Sequence, residues 1–254
     1  MSETESSIYI VTGASYGIGH AVAKALAARG LPVLAVARSL DRLELLSKNT
    51  GPQLNLVAAD LATSTGIAQV MDKVPNAVDV AGVVHAAGSV VPLEPLSQVD
   101  AEQLVEHFRI HVGAPLALYQ SLAQNHWVRR MVYIDSYSAT AARNGWGAYS
   151  IVKSAAQMAA KCADQELRRT DAIRIFPGAV NTRIVDAVLA SDTETAKTFQ
   201  AMKERGELAK PDDVAAFIVS VLVDAHDNLI RSRPSWDFNT AEDHDLIRGL
   251  RAVQ

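Results

Sequence analysis

The sequence predicts an α/β protein built on one doubly wound parallel sheet. Three observations carry that expectation. Short apolar runs alternate with helical patterns from residue 8 to about residue 223. The first strand–helix junction is a glycine-rich turn, Thr12-Gly13-Ala14-Ser15-Tyr16-Gly17-Ile18-Gly19. Tyr149 and Lys153 stand four residues apart, with Ser136 thirteen residues before the tyrosine.

The elements follow in order. Residues 8–12 read as a strand, and residues 18–29 as a helix stopped by Gly30. A second strand at 32–37 leads into a short helix at 40–48. Strands at 54–59 and 80–85 flank a helix near 66–74. A longer helix spans roughly 101–123, a fifth strand 130–135, a strongly helical run 148–168 and a sixth strand 172–176. These strands are apolar on both faces, as a buried parallel sheet requires. Right-handed crossovers between them give a Rossmann-type sheet with helices on both sides.

Beyond Pro177-Gly178 the pattern weakens. Residues 182–206 are helical in character but polar, and suit a mobile flap over a substrate. Residues 211–223 open with Pro211, Asp212 and Asp213 and continue as an apolar stripe, the signature of a helix start and body. The segment from Asp224 onward, charged and aromatic, matches neither period. The expected organisation is a flexible N-terminus at 1–7 and a single dinucleotide-binding catalytic domain at 8–254.

Composition narrows the functional classes. The 254-residue chain carries a net charge of −4 with its Lys and Arg scattered, so no basic stripe points to nucleic acid. No apolar run approaches the ~20 residues that span a bilayer. The first seven residues are polar and acidic, unlike a targeting peptide. The single cysteine, Cys162, excludes an internal disulfide and is expected to be buried on its long helix. A cytoplasmic, reducing setting is the simplest reading.

Gly13, Gly17 and Gly19 lie where a backbone must approach a pyrophosphate and a helix N-terminus favours anionic oxygens. A carboxylate at the end of strand two, ~20 residues past the glycines, would select NAD through the ribose 2′-hydroxyl. The chain has Val36-Ala37-Arg38-Ser39 there, with no acid before Asp41. Arg38 suits a 2′-phosphate, so NADP(H) is the expected cofactor. Asp60, just after strand three, has two open readings: an acceptor for the adenine amino group, or a brace for its own turn. Gly88 closes strand four, where a small residue leaves room for the cofactor.

Carbonyl reduction needs an acid for the developing alkoxide and donors that polarise the oxygen. A tyrosine hydroxyl titrates near 10 in isolation, and a lysine one helical turn away lowers that value. Tyr149 and Lys153 share a helical face in this way, and Lys153 can also hold the nicotinamide ribose. Ser136 falls at the carboxyl end of strand five, on the ligand side of an open α/β sheet, with Ser138 as a rival donor.

Over about residues 8–223 the chain resembles the short-chain dehydrogenase/reductase (SDR) family. The matching elements are the turn at 12–19, Asp60, Ala87-Gly88, Ser136, Tyr149 with Lys153, and Pro177-Gly178 followed by Thr182. Gly145-Trp146-Gly147-Ala148-Tyr149 resembles the segment in sepiapterin reductases and benzil-reductase-like carbonyl reductases. The resemblance implies Tyr149 as acid–base, Ser136 as donor to the substrate oxygen and Lys153 as activator of the tyrosine. It implies Gly13, Ser15, Tyr16, Gly17, Ile18, Gly19, Arg38, Asp60, Ala87 and Gly88 against the dinucleotide. It also sets Pro177, Gly178, Val180 and Thr182 along the nicotinamide.

Two positions depart from the family. His85-Ala86-Ala87-Gly88 replaces the usual Asn-Asn-Ala-Gly, and His111 stands where the family's fourth catalytic residue is asparagine. Histidine both donates and accepts, so His111 has three readings open: a surviving proton relay, a relay with altered pH dependence or reduced activity, and, read without the family, a structural histidine in an apolar helix. His107 and His111, four apart, are half of a metal site with no third ligand, and no metal is expected.

The expected function is NADPH-dependent reduction of a ketone or aldehyde. Its alternative is a catalytically weakened NADP(H)-sensing or scaffolding protein on the same fold. The substrate pocket is expected near 90–95, 137–146 and 180–206, with Val90, Val91, Leu93, Ala139 and Ile184 giving it apolar character. Trp146 has a lining and a packing role open to it, and Trp236 and Phe238 are further candidates for the lining. The resemblance implies a homodimer or homotetramer paired through the helices around 101–123 and 148–168.

Overall fold

The computed structural model of the chain describes residues 7–48, 50–76, 78–88 and 92–252. Among them lie strands β1 (Ser7–Thr12), β2 (Val33–Ala37), β3 (Leu54–Ala58), β4 (Asp79–His85), β5 (Arg130–Ile134), β6 (Asp171–Phe176) and β7 (Ser235–Asp237). They form one sheet in the order β3-β2-β1-β4-β5-β6-β7, every neighbouring pair parallel. Of the expected N-terminal segment only Ser7 is among the described residues, and it begins β1.

Parallel neighbours need crossovers, which here are helical. The first six helices are α1 (Gly17–Ala28), α2 (Leu40–Lys48), α3 (Ser64–Met71), α4 (Ala101–Phe108), α5 (Ala114–Leu122) and α6 (Gly147–Glu166). Successive strand residues point to opposite faces, and both faces are covered. Val11, Val84, Val132 and Ile173 pack with Val22 and Leu26 of α1 and with Val214 and Ile218 of α9 (Pro211–Val219). Ile10, Val83 and Met131 pack with Ile67 and Val70 of α3 and Leu118 and Leu122 of α5. The strands therefore read as continuous apolar runs. The order runs outward from β1 to β3 on one side and from β4 to β7 on the other, which opens a crevice at the carboxyl ends of β1 and β4.

The helix expected over 101–123 is interrupted. Between α4 and α5 lies a π-helical turn, Arg109–Gly113, which contains His111. Pro115, at the start of α5, has no N–H for the His111 carbonyl four residues back, so a regular helical ladder cannot run through this point. The helix at 211–223 likewise ends as α9 at Val219 and continues as a π-helical turn, Ser220–Asp224.

The polar segment at 182–206 folds as α7 (Arg183–Leu189) and α8 (Glu194–Glu204). The charged C-terminal stretch supplies α10 (Asp227–Ser232), β7 and α11 (Ala241–Ala252). Its anchor is Arg130, buried at the start of β5. Arg130 donates to the carbonyls of Leu222 (2.7 Å) and Ala225 (2.6 Å) and to Asp227 Oδ1 (2.7 Å).

Two expectations are corrected. Trp236 is a core residue, buried against Phe217, and Phe238 packs on Phe217 and His244, so neither lines the ligand crevice. Cys162 is exposed. It stands four residues after exposed Met158 on the outer face of α6, away from the face that carries Tyr149 and Lys153.

Candidate active site

An open cavity of about 1560 Å³ runs along the carboxyl ends of the strands, from the glycine loop to the α7–α8 segment. The loop is shaped by glycine where nothing larger fits. Gly13 has φ +68°, and a Cβ on it would lie 2.6 Å from the Ala86 carbonyl oxygen. A Cβ on Gly19 would lie 2.6 Å from the Gly13 oxygen. Thr12 Oγ1 accepts from Ala87 N–H at 3.1 Å and donates to the Val84 carbonyl, which pins the exit of β4 beside the loop.

Ser15, Tyr16, Gly17, Ile18, Arg38, Asp60, Ala87 and Gly88 all line this cavity with Gly13 and Gly19. Arg38 directly follows β2, and Arg42, in the first turn of α2, joins it. Tyr16 is stacked by two cations, with the Arg42 and Arg183 guanidinium carbons 4.1 and 3.1 Å from its ring centre. Asp60 Oδ1 accepts from Ala62 N–H at 3.0 Å, so of its two open roles the brace of its own turn is visible in the fold. The residues present fit a dinucleotide: close-packed glycines at the start of α1, one arginine directly after β2 and a second in the first turn of α2.

Ser136, Tyr149 and Lys153 meet where β5 ends. Ser136 leaves the strand in an extended conformation and caps a short 3₁₀ turn, Tyr137–Ala139, its Oγ accepting from Ser138 N–H at 3.2 Å. Tyr149 is the third residue of α6 and Lys153 lies one turn on, both on the buried face. The Tyr149 phenol lies close enough to Ser136 for the serine to favour its ionised form. Trp146 precedes α6, its ring edge-on to Tyr149 at 5.6 Å and stacked near Phe199 at 6.3 Å. It fills both of its open roles, lining the cavity while buried in a small apolar cluster.

The electrostatics differ from the simplest expectation. Burial pushes the Tyr149 phenol up to about 12; the Ser136 hydroxyl opposes this and the Asp135 carboxylate adds to it. Burial pulls Lys153 down to about 8, against the pull of Asp135. Lys153 Nζ lies 6.0 Å from the Tyr149 ring centre and donates to the Ile134 carbonyl at 2.8 Å. The expected lowering of the phenol by its lysine neighbour is thus outweighed in the free protein, because desolvation of a buried phenolate exceeds the reach of an ammonium engaged elsewhere.

His111 sits in the π-helical turn with its ring over Gly88, where a Cβ would come within 2.3 Å of His111 Cε1. Its neighbour His107 is 6.4 Å away, ring to ring. Among the described residues no group of three His, Cys, Asp or Glu is arranged to hold a metal ion. His85, in place of the first asparagine of the usual motif, is buried against Tyr133 at 5.1 Å with Nε2 unpartnered. Burial holds it neutral, its pKa pulled down to about 3.

Pro177, Gly178, Val180 and Thr182 follow β6 along the cavity wall. Of the apolar pocket candidates, Ile184 lines it with Val185, Phe199 and Met202. Leu93 packs instead on the Trp146 cluster, Ala139 is not in the wall, and Val90 and Val91 lie outside the described residues. Ser138 lines the cavity beside Ser136.

Sequence reasoning missed Arg42, Asp135, Gln157 and Asn239, all of which line the cavity. The first three had a signal. Arg42 is four residues past Arg38, Asp135 adjoins Ser136, and Gln157 continues the Tyr149–Lys153 spacing by one more turn. Asn239 had none. It arrives from beyond β7 and packs where a Gly178 Cβ would be 2.5 Å from its amide.

With this geometry in hand, comparison with known proteins is specific. Residues 7–193 match the family model for short chain dehydrogenases, and the chain belongs to that family. It is 26% identical to a benzil reductase ((S)-benzoin forming) of Bacillus cereus, over 84% of this chain and 92% of that protein. It is 25% identical to a sepiapterin reductase of Xenopus tropicalis, over 80% of this chain and 86% of that one. Its fold superposes on a short chain dehydrogenase/reductase of Saccharomyces cerevisiae with a TM-score of 0.84 at 21% identity, covering 94% of this chain and 98% of the other. The protein is an oxidoreductase of this family, and the family's cofactor is a nicotinamide dinucleotide. None of the described helices is long and apolar enough to cross a membrane.

Proposed function

We propose that this short chain dehydrogenase reduces a ketone or aldehyde to an alcohol with NADPH, with Tyr149 as the proton donor. The observation that carries the reading is that Ser136, Tyr149 and Lys153 line the same cavity as the glycine loop. When bound, the dinucleotide would supply the hydride for the carbonyl carbon. Ser136 orients the substrate oxygen. Tyr149, protonated throughout the neutral range at a pKa of about 12, gives its phenolic proton to that oxygen as the C=O π bond breaks. Lys153 steadies the charge left on the phenol and is positioned for the nicotinamide ribose, and His111 on its turn carries the replacement proton. Pro177, Gly178, Val180 and Thr182 would flank the nicotinamide.

NADPH rather than NADH is supported by Arg38 after β2, where an NAD site would carry an acid, and by Arg42 in the first turn of α2. The wall formed by Trp146, Ile184, Val185, Phe199 and Met202 suits an apolar, aryl-bearing substrate. The similarity to a benzil reductase makes a 1,2-diketone the first probe. We further propose one catalytic domain with α7–α8 as its flap, a cytoplasmic setting, and a homodimer or homotetramer. Val105, Phe108, Leu116, Ile151 and Met158 expose apolar side chains on α4, α5 and α6, the helices expected to pair.

The test is titration with NADPH and NADH, then turnover on benzil, aldehydes and cyclic ketones, wild type beside Tyr149→Phe. Turnover that falls at least ~100-fold in the variant, with NADPH affinity retained, is expected. Tight NADPH binding with no turnover, equal in both proteins, would replace this reading with a sensing or scaffolding role.

A further inference from the structure

One buried charge in this site has no part in the mechanism above. Asp135, 6% exposed, stands between β5 and Ser136. Its Oδ1 accepts from Ser136 N–H at 2.7 Å and its Oδ2 from Gln157 Nε2 at 3.0 Å. The orientation of Gln157 is fixed in turn, because its Oε1 accepts from Lys161 Nζ at 3.0 Å. Lys153, Gln157 and Lys161 follow one another at four-residue steps along the α6 face that starts with Tyr149. Both hydrogen bonds to its side chain come from donors, and Lys153 and Arg174 are the cations in its field, an arrangement that suits a carboxylate against the upward push of burial.

We infer that Asp135 is a positioning residue: it ties Ser136 to the Tyr149–Lys153 face of α6 and keeps both protons on that pair, favouring the reducing direction. The inference rests on the proposed carbonyl reduction and deepens it. Reduction needs Tyr149 as O–H and Lys153 as ammonium, whereas oxidation needs the phenolate. A fixed anion beside the pair makes each proton harder to lose, and Asp135 acts on both partners in that sense. The two titrate as a coupled unit, so without the anion the first proton leaves at lower pH, whichever residue gives it up.

Burial raises the Asp135 pKa, while Ser136 N–H, Gln157, Lys153 on α6 and Arg174 on β6 lower it. The other titratable groups around this part of the cavity are His85 from β4, Tyr133 from β5, Tyr137 and Arg143 from the stretch between β5 and α6, Glu106 and His107 from α4, and Arg109 and His111 from the π-helical turn. His85 and His107 are held toward their neutral forms by burial. In the reducing direction the phenolic proton joins the substrate oxygen, and the balancing hydride would come from NADPH held by the glycine loop.

The experiment measures kcat/KM against pH for benzil reduction with NADPH, in wild type, Asp135→Asn and Asp135→Glu. Asn keeps an acceptor for Ser136 N–H and removes the charge. The expected result is an alkaline limb displaced to lower pH by about one unit in Asp135→Asn, with rates on the acid side within a few-fold, and a limb near the wild-type position in Asp135→Glu. An unmoved limb with activity lowered evenly across pH would make Asp135 purely structural and overturn the inference. So would a Glu variant displaced as far as Asn.

A second readout needs neither cofactor nor turnover. The 295 nm absorbance titration of each protein, minus that of its Tyr149→Phe derivative, reports Tyr149 ionisation directly. It is expected to begin at lower pH in Asp135→Asn, and coincident titrations would overturn the proposal. If wild type turns over no carbonyl probe, the functional reading fails and this titration alone decides the role of Asp135. Asp135→Ser repeats both measurements if the Asn variant does not fold.

Discussion

Acid should unfold this protein in part through one side chain, His85. The imidazole is buried against Tyr133 with no hydrogen-bond partner for Nε2, and its pKa falls from 6.5 to about 3. The folded-state value lies below the unfolded one, so the stabilisation is complete above the unfolded value and is lost as pH falls toward the folded value. At 1.36 kcal/mol per unit, the cost is about 3 kcal/mol at roughly pH 4.5 and about 4 kcal/mol near pH 3. Against a typical total of about 5–15 kcal/mol, that is enough to unfold a marginal domain.

The perturbation is His85→Asn, which restores the residue usual in the family. At neutral pH the variant loses ring packing and should be about 1–2 kcal/mol less stable than wild type. In denaturant unfolding at about pH 4.5 that gap should close and reverse, since Asn has nothing to protonate. A gap between wild type and variant that is the same at both pH values would refute the argument. It would mean that the imidazole reaches solvent or finds a partner when protonated.

Three other outcomes are expected. Arg38→Ala and Arg42→Ala should each weaken NADPH binding by about 10-fold or more while leaving NADH nearly unchanged, by calorimetric titration; equal losses for both would deny the 2′-phosphate contact. Gly88→Ala should cost about 1–3 kcal/mol, because its Cβ meets the His111 ring at 2.3 Å. Most of that loss should vanish in the Gly88→Ala/His111→Ala pair, as read by a double-mutant cycle in thermal unfolding. Ile151→Glu with Met158→Glu, both on the exposed face of α6, should lower the oligomeric mass in light scattering without loss of secondary structure. An unchanged mass would move the interface elsewhere.

What the sequence determined by itself was everything that local periodicity and turn chemistry can carry. Strands apolar on both faces, glycines at the first βα junction and the Ser136, Tyr149, Lys153 spacing fixed the sheet class and the end of the sheet that would hold a ligand. Each depends on residues within one or two elements, where backbone geometry dictates residue type. The interruption at Arg109–Gly113 was readable in principle from Pro115, whose missing N–H breaks the ladder, but nothing nearby marks a π-helical turn in place of a simple kink.

Only the tertiary structure decided which buried charges face one another. Asp135 reads as an ordinary strand-end acid until β5 and α6 bring it onto Gln157 and into the field of Lys153. Asn239 joins the site, and Trp236 leaves it for the core, because Arg130 docks the C-terminal stretch through contacts more than ninety residues apart. The Tyr149 phenol is likewise set by burial, which sums over every element around it. Desolvation and long-range pairing are properties of the assembled fold, and no local window of sequence contains them.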